Sequence, residues 1–182
     1  MAMTVMTIGA SAIMSMQKAS VQGNLDARKT DVANAIARTW IERLKRDSMQ
    51  WTSPDNFASA KLLSGNVTNQ WFLPTQYVGA TPETMSPGFD ILGRDLKAAH
   101  IASAVFCTHV CLSWLANNSL LRADVRVLWG RGVTGTAPAG FCATAPGDFC
   151  TQAAPGGTST SSPDPAIYAS IYATTALREN AQ

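Results

Sequence analysis

The residues of this chain best suited to chemistry are four cysteines, all in its second half: Cys107, Cys111, Cys142 and Cys150. None of them forms a C-x-x-C pair, and the two histidines, His100 and His109, do not supply a zinc-finger spacing. An even number of cysteines in sequence typical of strands and loops predicts disulfide bonds, and therefore an oxidising compartment. Buried free thiols in a reducing compartment are the alternative.

Two polar clusters could be mistaken for functional sites. His109 lies between two cysteines, but no further ligand stands at a metal-binding spacing, so we predict a partly exposed strand histidine and no metal site. Asp124 is flanked by Arg122 and Arg126, which indicates cross-strand charge pairing rather than an acid–base site. Neither cluster therefore predicts catalysis.

A glycine motif follows the second of two predicted strands. Residues 130–135 match G-x-G-x-x-G, but Pro138 and Gly140 stand where a phosphate-binding helix would begin, so the motif predicts a turn. The sequence also lacks a plausible nucleophile–base pair, an H-E-x-x-H motif and a P-loop. We therefore expect a protein that is not an enzyme, with no catalytic residues and no cofactor.

The charge of the chain is low and unevenly distributed. Only 14% of its 182 residues are charged and the net charge is +2, which argues against a nucleic-acid-binding protein. Half of the basic residues lie between positions 18 and 46, so this stretch is locally basic while the remainder is close to neutral.

Residues 1–51 are predicted to form one long helix, which Pro54 ends. No charged residue occurs in 1–17, and an amphipathic stretch follows. Such a helix would be roughly 75 Å long, too long to be covered by the remaining residues, so part of it must leave the globular body. Arg43 and Asp47, four residues apart, are expected to form an ion pair. Apolar residues spaced by four or seven form one stripe along the helix: Val21, Leu25, Val32, Ile36, Trp40 and Leu44.

The uncharged segment 1–17 has three interpretations. It is slightly short for a bilayer and rich in small residues that permit close helix–helix approach. It could be a membrane anchor lacking its first residues, a bundle helix of a soluble protein, or a packing helix in an assembly. The basic residues that follow it favour a cytoplasmic position, whereas the cysteines favour an exported domain, unless upstream residues set the orientation.

Residues 52–182 are predicted to form a globular head. Residues 52–103 are expected to be a long irregular connection that lies across the domain and covers part of the core. Residues 104–131 alternate between apolar and polar with a period of two, which predicts a β-hairpin whose apolar face packs on the helix stripe. A loop rich in Gly, Pro and Ser follows over 132–166, and residues 167–177 are predicted to form a third strand.

Strand geometry restricts how the cysteines can pair. Cys107 and Cys111 would lie roughly 13 Å apart on an extended strand, whereas a disulfide requires Cα atoms within about 7 Å. Pairing of these two with Cys142 and Cys150 in the loop is therefore favoured. The alternative is a local Cys142–Cys150 bond that leaves both strand cysteines as thiols.

Several stretches resemble type IV pilins, and in particular the minor pilins known as type IV pilus modification proteins (the PilV type). Residues 1–10 (MAMTVMTIGA) resemble the interior of a pilin N-terminal helix, and Gly9 and Gln17 occur where this subgroup often has Gly and Gln. Residues 32–46 (VANAIARTWIERLKR), Phe106 with Cys107, and residues 122–129 (RADVRVLW) are also similar. The resemblance is strong over 1–51 and moderate over 104–130. It implies an α+β pilin fold, in which the second half of a long N-terminal helix packs on a small antiparallel sheet with a disulfide-bearing C-terminal loop.

The resemblance implies a structural function. A minor pilin would sit in the inner membrane of a Gram-negative bacterium with a periplasmic head, and then enter an extracellular pilus that serves adhesion and twitching motility. It would help to prime pilus assembly and join a tip complex with other minor pilins, the major pilin and a large adhesin. Its head would pack on the helix through Val32, Ile36, Trp40 and Leu44. Contacts with other helices would come from the earlier part of the helix: Met3, Met6, Gly9, Ile13, Met16, Val21 and Leu25.

The family's processing site, Gly-Phe followed by a glutamate, does not occur at the start of this sequence. The resemblance therefore predicts that it lies upstream in the reading frame, together with a basic leader. The alternative functions are a minor pseudopilin of type II secretion, which has the same architecture, and a membrane-anchored periplasmic binding module.

Overall fold

The computed structural model describes residues 2–52, 54–74, 76–78, 83–116, 119–131, 142 and 167–180, with the backbone alone for 2–11, 54–56, 76–78, 83–86 and 98. One α-helix, α1 (Ala2–Ser48), precedes an antiparallel sheet. The predicted α+β class, with a long N-terminal helix and an antiparallel sheet, is therefore confirmed.

The centre of the sheet is a hairpin of two long strands, joined by a third strand from the end of the chain. The three strands are β5 (Phe106–Ala116), β6 (Leu120–Gly130) and β7 (Tyr168–Arg178). Strand β7 pairs with β6 in an unbroken antiparallel register from Leu120↔Arg178 to Gly130↔Tyr168. Both predicted strand regions are confirmed, because 11-residue strands leave a clear period-two pattern in the sequence.

Residues 52–103 contain more structure than the predicted irregular connection. They form two 3₁₀ helices (Pro54–Ser59 and Ala98–Ser103) and four short strands, β1 (Trp71–Phe72), β2 (Gln76–Val78), β3 (Glu83–Phe89) and β4 (Asp95–Lys97). These strands extend the sheet beyond β5, since β1 and β3 both pair with β5. The prediction was wrong here for two reasons. Strands β1, β2 and β4, of two or three residues, are too short to show a period, and β3 contains Pro87 and Gly88, which are uncommon inside strands. The expected covering of the core does occur, through buried residues such as Ala60, Leu63 and Phe89.

The second half of α1 lies on one face of the sheet, mainly over β6 and β7. Ile36, Trp40 and Leu44 are buried there, and Val32 is half-buried at the edge of the same cluster. Ala33 and Ala37 are buried as well, because their small side chains let the helix approach the strands closely. We call this side of the sheet the helix face; it includes Phe106, Val110, Leu112, Val125 and Val127.

Two polar contacts fix the C-terminal end of the helix to the head. The Asp47 carboxylate accepts hydrogen bonds from the backbone N–H groups of Leu62 and Leu63, at 3.0 and 3.1 Å. Burial raises the pKa of this carboxyl although these N–H groups act in the opposite direction. Arg43 pairs with Asp95 of β4, with 2.9 Å between Nη1 and Oδ1, rather than with Asp47. The predicted Arg43–Asp47 pair was wrong because both side chains find partners in the head, outside the helix.

Candidate interaction surface

The first half of α1 extends beyond the head. From residue 12 to residue 28 all side chains are exposed except the half-buried Gln22. Ile13, Met16, Val21 and Leu25, four of the predicted helix-packing residues, are 59%, 77%, 58% and 51% exposed. The side chains of Met3, Met6 and Gly9 lie outside the described residues. We call residues 12–28 the exposed helix segment.

The apolar stripe of the exposed helix segment continues the one that packs on the sheet. Val21 precedes Leu25 by four residues and Leu25 precedes Val32 by seven, so one row of apolar side chains passes from solvent into the core. Most helical stability in proteins comes from tertiary packing of such a face rather than from intrinsic propensity. The exposed helix segment has no such packing within the described part of the chain. Its apolar residues are of the types that pack against another protein surface.

Gly23 weakens the exposed helix segment further. A glycine within a helix costs about 1 kcal/mol relative to alanine. A Cβ atom added at Gly23 would meet no other atom within 4 Å, so packing within the described chain gives no reason for a glycine here. The segment is thus poorly stabilised by itself.

A hydrogen-bonded turn between β3 and β4 lies close to the point where the helix leaves the head. The Asp90 carboxylate accepts hydrogen bonds from the backbone N–H groups of Leu92 and Arg94, both at 2.9 Å, and from the Arg94 side chain at 2.8 Å. Ile91 and Leu92 nevertheless expose 62% and 61% of their surface. We call these two residues the hairpin tip. They were not predicted from the sequence, although two aliphatic residues between Asp90 and Gly93 indicate an exposed apolar turn.

Gly93 holds the turn against the helix. Its φ angle is +75°, and a Cβ atom there would lie 2.9 Å from Cγ1 of Val32, so only glycine allows this approach. Asp95 pairs with Arg43, further along the helix, so the β3–β4 hairpin runs towards the N-terminal end of α1. The hairpin tip therefore lies beside the helix close to Val32, a few residues after the end of the exposed helix segment.

The opposite side of the sheet, which we call the second face, contains the predicted chemistry-bearing residues: Cys107, His109, Cys111, Asp124 and Arg126. Cys107 forms a disulfide with Cys142, as the spacing argument favoured. Cys111 is also in a disulfide, whose partner lies outside the described residues. The alternative that left both strand cysteines as thiols is therefore wrong.

His109 is buried, with only 4% of its surface exposed, and the prediction of a partly exposed histidine was wrong. Nδ1 accepts a hydrogen bond from Nε of Arg126 at 3.0 Å, so the neutral ring carries its proton on Nε2, which lies 3.7 Å from Sγ of Cys107. Burial, together with the Arg126 charge, lowers the pKa of His109 to about 3. The ring is therefore neutral at physiological pH, and each of its nitrogens has a polar partner among the described residues.

The charges around Asp124 are arranged differently from the prediction. Arg122, two residues away on the same strand, contacts the carboxylate at 2.9 Å, and the Thr174 hydroxyl of β7 donates to it at 2.6 Å. Arg126 instead lies over the ring of Trp71, with its Cζ atom 4.3 Å from the ring centroid. The pairing is thus along the strand, and the cross-strand interpretation was wrong. Among the described residues, no group of three potential metal ligands comes together.

Of the described helices, α1 included, none is both long enough and apolar enough to cross a membrane. No protein-family model matches the sequence, and no curated protein or solved structure is significantly similar to it.

Proposed function

We propose that this chain is a filament subunit, a minor pilin of a type IV pilus with the pilin fold. The helix would join the subunit to its neighbours, and the head would be carried on the outside. As such a subunit it would help to prime pilus assembly and belong to a tip complex with other minor pilins, the major pilin and an adhesin.

The observation that supports this proposal is the division of one helix between two environments. Ile36, Trp40 and Leu44 are buried by the head, whereas Ile13, Val21 and other apolar residues of the same helix are more than half exposed. An enzyme or a ligand-binding module has no need of such an extension. A subunit that donates its helix to an assembly requires one.

The disulfide between Cys107 and Cys142 agrees with the compartment that the proposal requires. Disulfides persist in the periplasm and outside the cell, and are rare in the reducing cytosol. The proposed route runs from the inner membrane, with the head in the periplasm, to the extracellular pilus.

The proposal can be tested by following the chain into filaments. We would express it from its native locus in a piliated bacterium and detect it by immunoblotting in pili sheared from the cells. The wild-type chain is expected in the sheared fraction together with the other minor pilins. The V21D/L25D variant is expected to accumulate in the cell and to be lost from that fraction, because its charges would be buried between helices.

The matched control is S20D/N24D, which places the same two charges at the same spacing but about 100° around the helix. Its loss from the pilus fraction should be smaller than that of V21D/L25D. A wild-type chain that is abundant in the periplasm but absent from sheared pili would refute the proposal. So would unchanged assembly of V21D/L25D.

A further inference from the structure

Strand β7 lies at one end of the described sheet, and alternate residues along it turn their backbone groups away from β6. The backbone N–H of Arg131 donates to the carbonyl of Ile167, directly opposite it. The N–H of Glu179 donates to the carbonyl of Ser119 in the same way at the other end. Directly opposite residues of an antiparallel pair alternate between bonded and non-bonded pairs. Since the register is unbroken, the odd-numbered residues of β7 bond to β6, and the even-numbered residues point their N–H and C=O groups outwards.

The outward backbone groups belong to a run of exposed residues: Ser170, Tyr172, Thr174, Ala176 and Arg178. Within the described part of the chain, no hydrogen bond uses the backbone N–H or C=O groups of these residues. The run is bounded at one end by Tyr168, whose carbonyl accepts a hydrogen bond from Arg131. It is bounded at the other end by Asn180, whose N–H donates to the carbonyl of Trp51. We call residues 170–178 the outer edge of β7; it is roughly 27 Å long.

The two ends of the sheet differ in how well they resist pairing with another strand. Natural proteins protect edge strands by short length, proline, bulges and charges. Around the opposite end, β2 and β4 have three residues each, β3 contains Pro87, and the pairing of β3 with β4 shifts register. Strand β7 has 11 residues, no proline, no register shift, and a charge only at its last residue, Arg178. An edge of this kind is a template for a further strand.

Both ends of the outer edge carry a positive charge. Arg131 is exposed at one end, with its Nε atom 3.0 Å from the Tyr168 carbonyl oxygen, and Arg178 is exposed at the other. No acidic residue occurs in β7 itself. The nearest acid along the chain, Glu179, has a buried carboxylate oxygen. A strand with an acidic residue at each of its ends therefore matches this edge in charge.

We propose that the outer edge of β7 binds an extended segment of a partner protein as a further antiparallel strand, with an acidic residue at each end of that segment. This inference goes beyond the proposed function and does not depend on it. Antiparallel pairing continues the arrangement of β6 and β7, and it is slightly more stable per residue than parallel pairing. Main-chain hydrogen bonds supply the affinity of such a contact, and alternate side chains supply its specificity.

The side chains along the outer edge define the residues of the bound segment. On the helix face, Ile171 and Ala173 pack against the core and favour apolar neighbours. On the second face, Tyr172 and Thr174 are exposed and favour hydroxyl-bearing neighbours across the strands. The segment therefore alternates between apolar and hydroxyl-bearing residues. Because opposite residues of an antiparallel pair share a face, its hydroxyl-bearing residues are the ones that exchange hydrogen bonds with β7.

The first experiment measures binding of a synthetic peptide to the full chain by fluorescence anisotropy. In this peptide four valines alternate with three threonines between two terminal aspartates, and we expect saturable binding. N-methylation of the three threonines should weaken binding by at least about tenfold, because their N–H groups face β7. N-methylation of three valines should leave it nearly unchanged. The reverse result would indicate a parallel strand and overturn the proposal, as would equal effects of both modifications or an absence of binding.

The second experiment changes the charges at the two ends of the edge. R131E/R178E should weaken binding of the same peptide by about tenfold, and a peptide with lysine at both ends should recover most of the loss. The matched control is K18E/R28E, which makes the same change in net charge on the exposed helix segment. It should leave binding unchanged. Equal losses in the two variants would show that only net charge matters and would overturn the proposal.

A backbone variant tests the edge without changing its charge. A176P removes an outward N–H but no hydrogen bond to β6, so it should weaken peptide binding several-fold while the urea midpoint stays close to that of the wild type. The matched control is A176T, which keeps the N–H group and should bind as the wild type does. Unchanged binding by a folded A176P would contradict pairing along this edge.

The natural occupant can be identified by photo-cross-linking in the native cells, with benzoylphenylalanine in place of Ser170 in the full chain. The proposal expects a cross-link to a segment of another protein that has the alternating pattern and acidic ends, and whose synthetic copy binds the wild type more tightly than A176P. Cross-links to β7 of a second copy, or to another segment of the same chain, would overturn it. A chain absent from sheared pili would refute the proposed function but leave peptide binding unaffected, so the two proposals can fail separately.

Discussion

The two faces of the central hairpin come from the same two strands, yet they are stabilised in different ways. On the helix face, side chains such as Phe106 and Val125 are apolar and are covered by a helix. On the second face, His109 and Arg126 form a buried polar pair beside the Cys107–Cys142 disulfide. Because side chains alternate along a strand, one face of the hairpin is stabilised mainly by burial of apolar side chains. The other face is stabilised also by a disulfide and by polar contacts.

Because of this difference, we expect the stability of the two faces to respond to different perturbations. Burial of apolar surface is nearly insensitive to pH and to reductant, so the helix face should respond mainly to a change in side-chain volume. The second face should respond to both conditions, because a disulfide and a neutral buried histidine belong to it. Three variants and one change of pH test this contrast.

The largest effect is expected from W40A on the helix face. Trp40 is fully buried between α1 and the sheet, and removing a buried aromatic ring costs about 3–5 kcal/mol of unfolding free energy. The loss should be equal at pH 7 and pH 5.5 in urea titrations. M16A, in the same helix but 77% exposed, should change stability by less than about 0.5 kcal/mol.

The next effect is expected from C107A/C142A on the second face. The disulfide closes a separation of 35 residues in the chain, for which loop-closure entropy predicts a loss of about 2–4 kcal/mol. Reductant should destabilise the wild-type chain by at least as much. If reductant had no effect on the urea midpoint, the second face would not depend on its covalent links.

A smaller effect is expected from acidification, through His109. Its pKa is about 3 in the folded chain and near 6.5 when unfolded, so protonation favours the unfolded chain and stability falls as the pH drops below about 6.5. Between pH 7 and pH 4 this group should remove roughly 2–3 kcal/mol. H109N keeps an acceptor for Arg126 but cannot titrate, so its loss over the same range should be smaller by about that amount. Equal losses in both proteins would show that His109 is not the titrating group.

The smallest effect is expected from T108V, which should stabilise the protein. Thr108 is fully buried on the helix face, and its hydroxyl makes no hydrogen bond within the described part of the structure. Replacing it by an isosteric methyl group removes an unsatisfied polar atom, which should raise the unfolding free energy by about 1 kcal/mol. S113V would not test the same face, because Ser113 lies on the second face. A loss of stability in T108V would mean that the helix face depends on a polar contact after all.

Long elements were predictable from the sequence, and short ones were not. The stripe from Val32 to Leu44 and the alternation along β5, β6 and β7 were visible because each extends over many repeats of its period. Strands β1 and β4 contain only two and three residues, and they exist because β5 and β3 offer them partners. Their positions depend on tertiary contacts that no local pattern contains.

The polar residues of the second face were identified correctly, but their surroundings were not. Alternation placed His109 on this face, but its hydrogen bond to Arg126, which lies opposite it on β6, depends on the register between β5 and β6. The partner of Asp124 on β7, Thr174, depends on the register between β6 and β7. The hairpin tip was missed for a related reason, since only the fold places Ile91 beside the helix.

Strand β7 lies beside the helix although the two are at opposite ends of the sequence, and this affects the order in which the molecule can fold. Leu177 completes the core around Trp40, and the backbone N–H of Asn180 bonds to the carbonyl of Trp51. During translation, the first fifty residues therefore emerge from the ribosome long before the last strand that supports them. Until residue 177 has been synthesised, the apolar stripe of α1 lacks much of the surface on which it packs. During that time it is accessible to chaperones and to premature contacts with other chains.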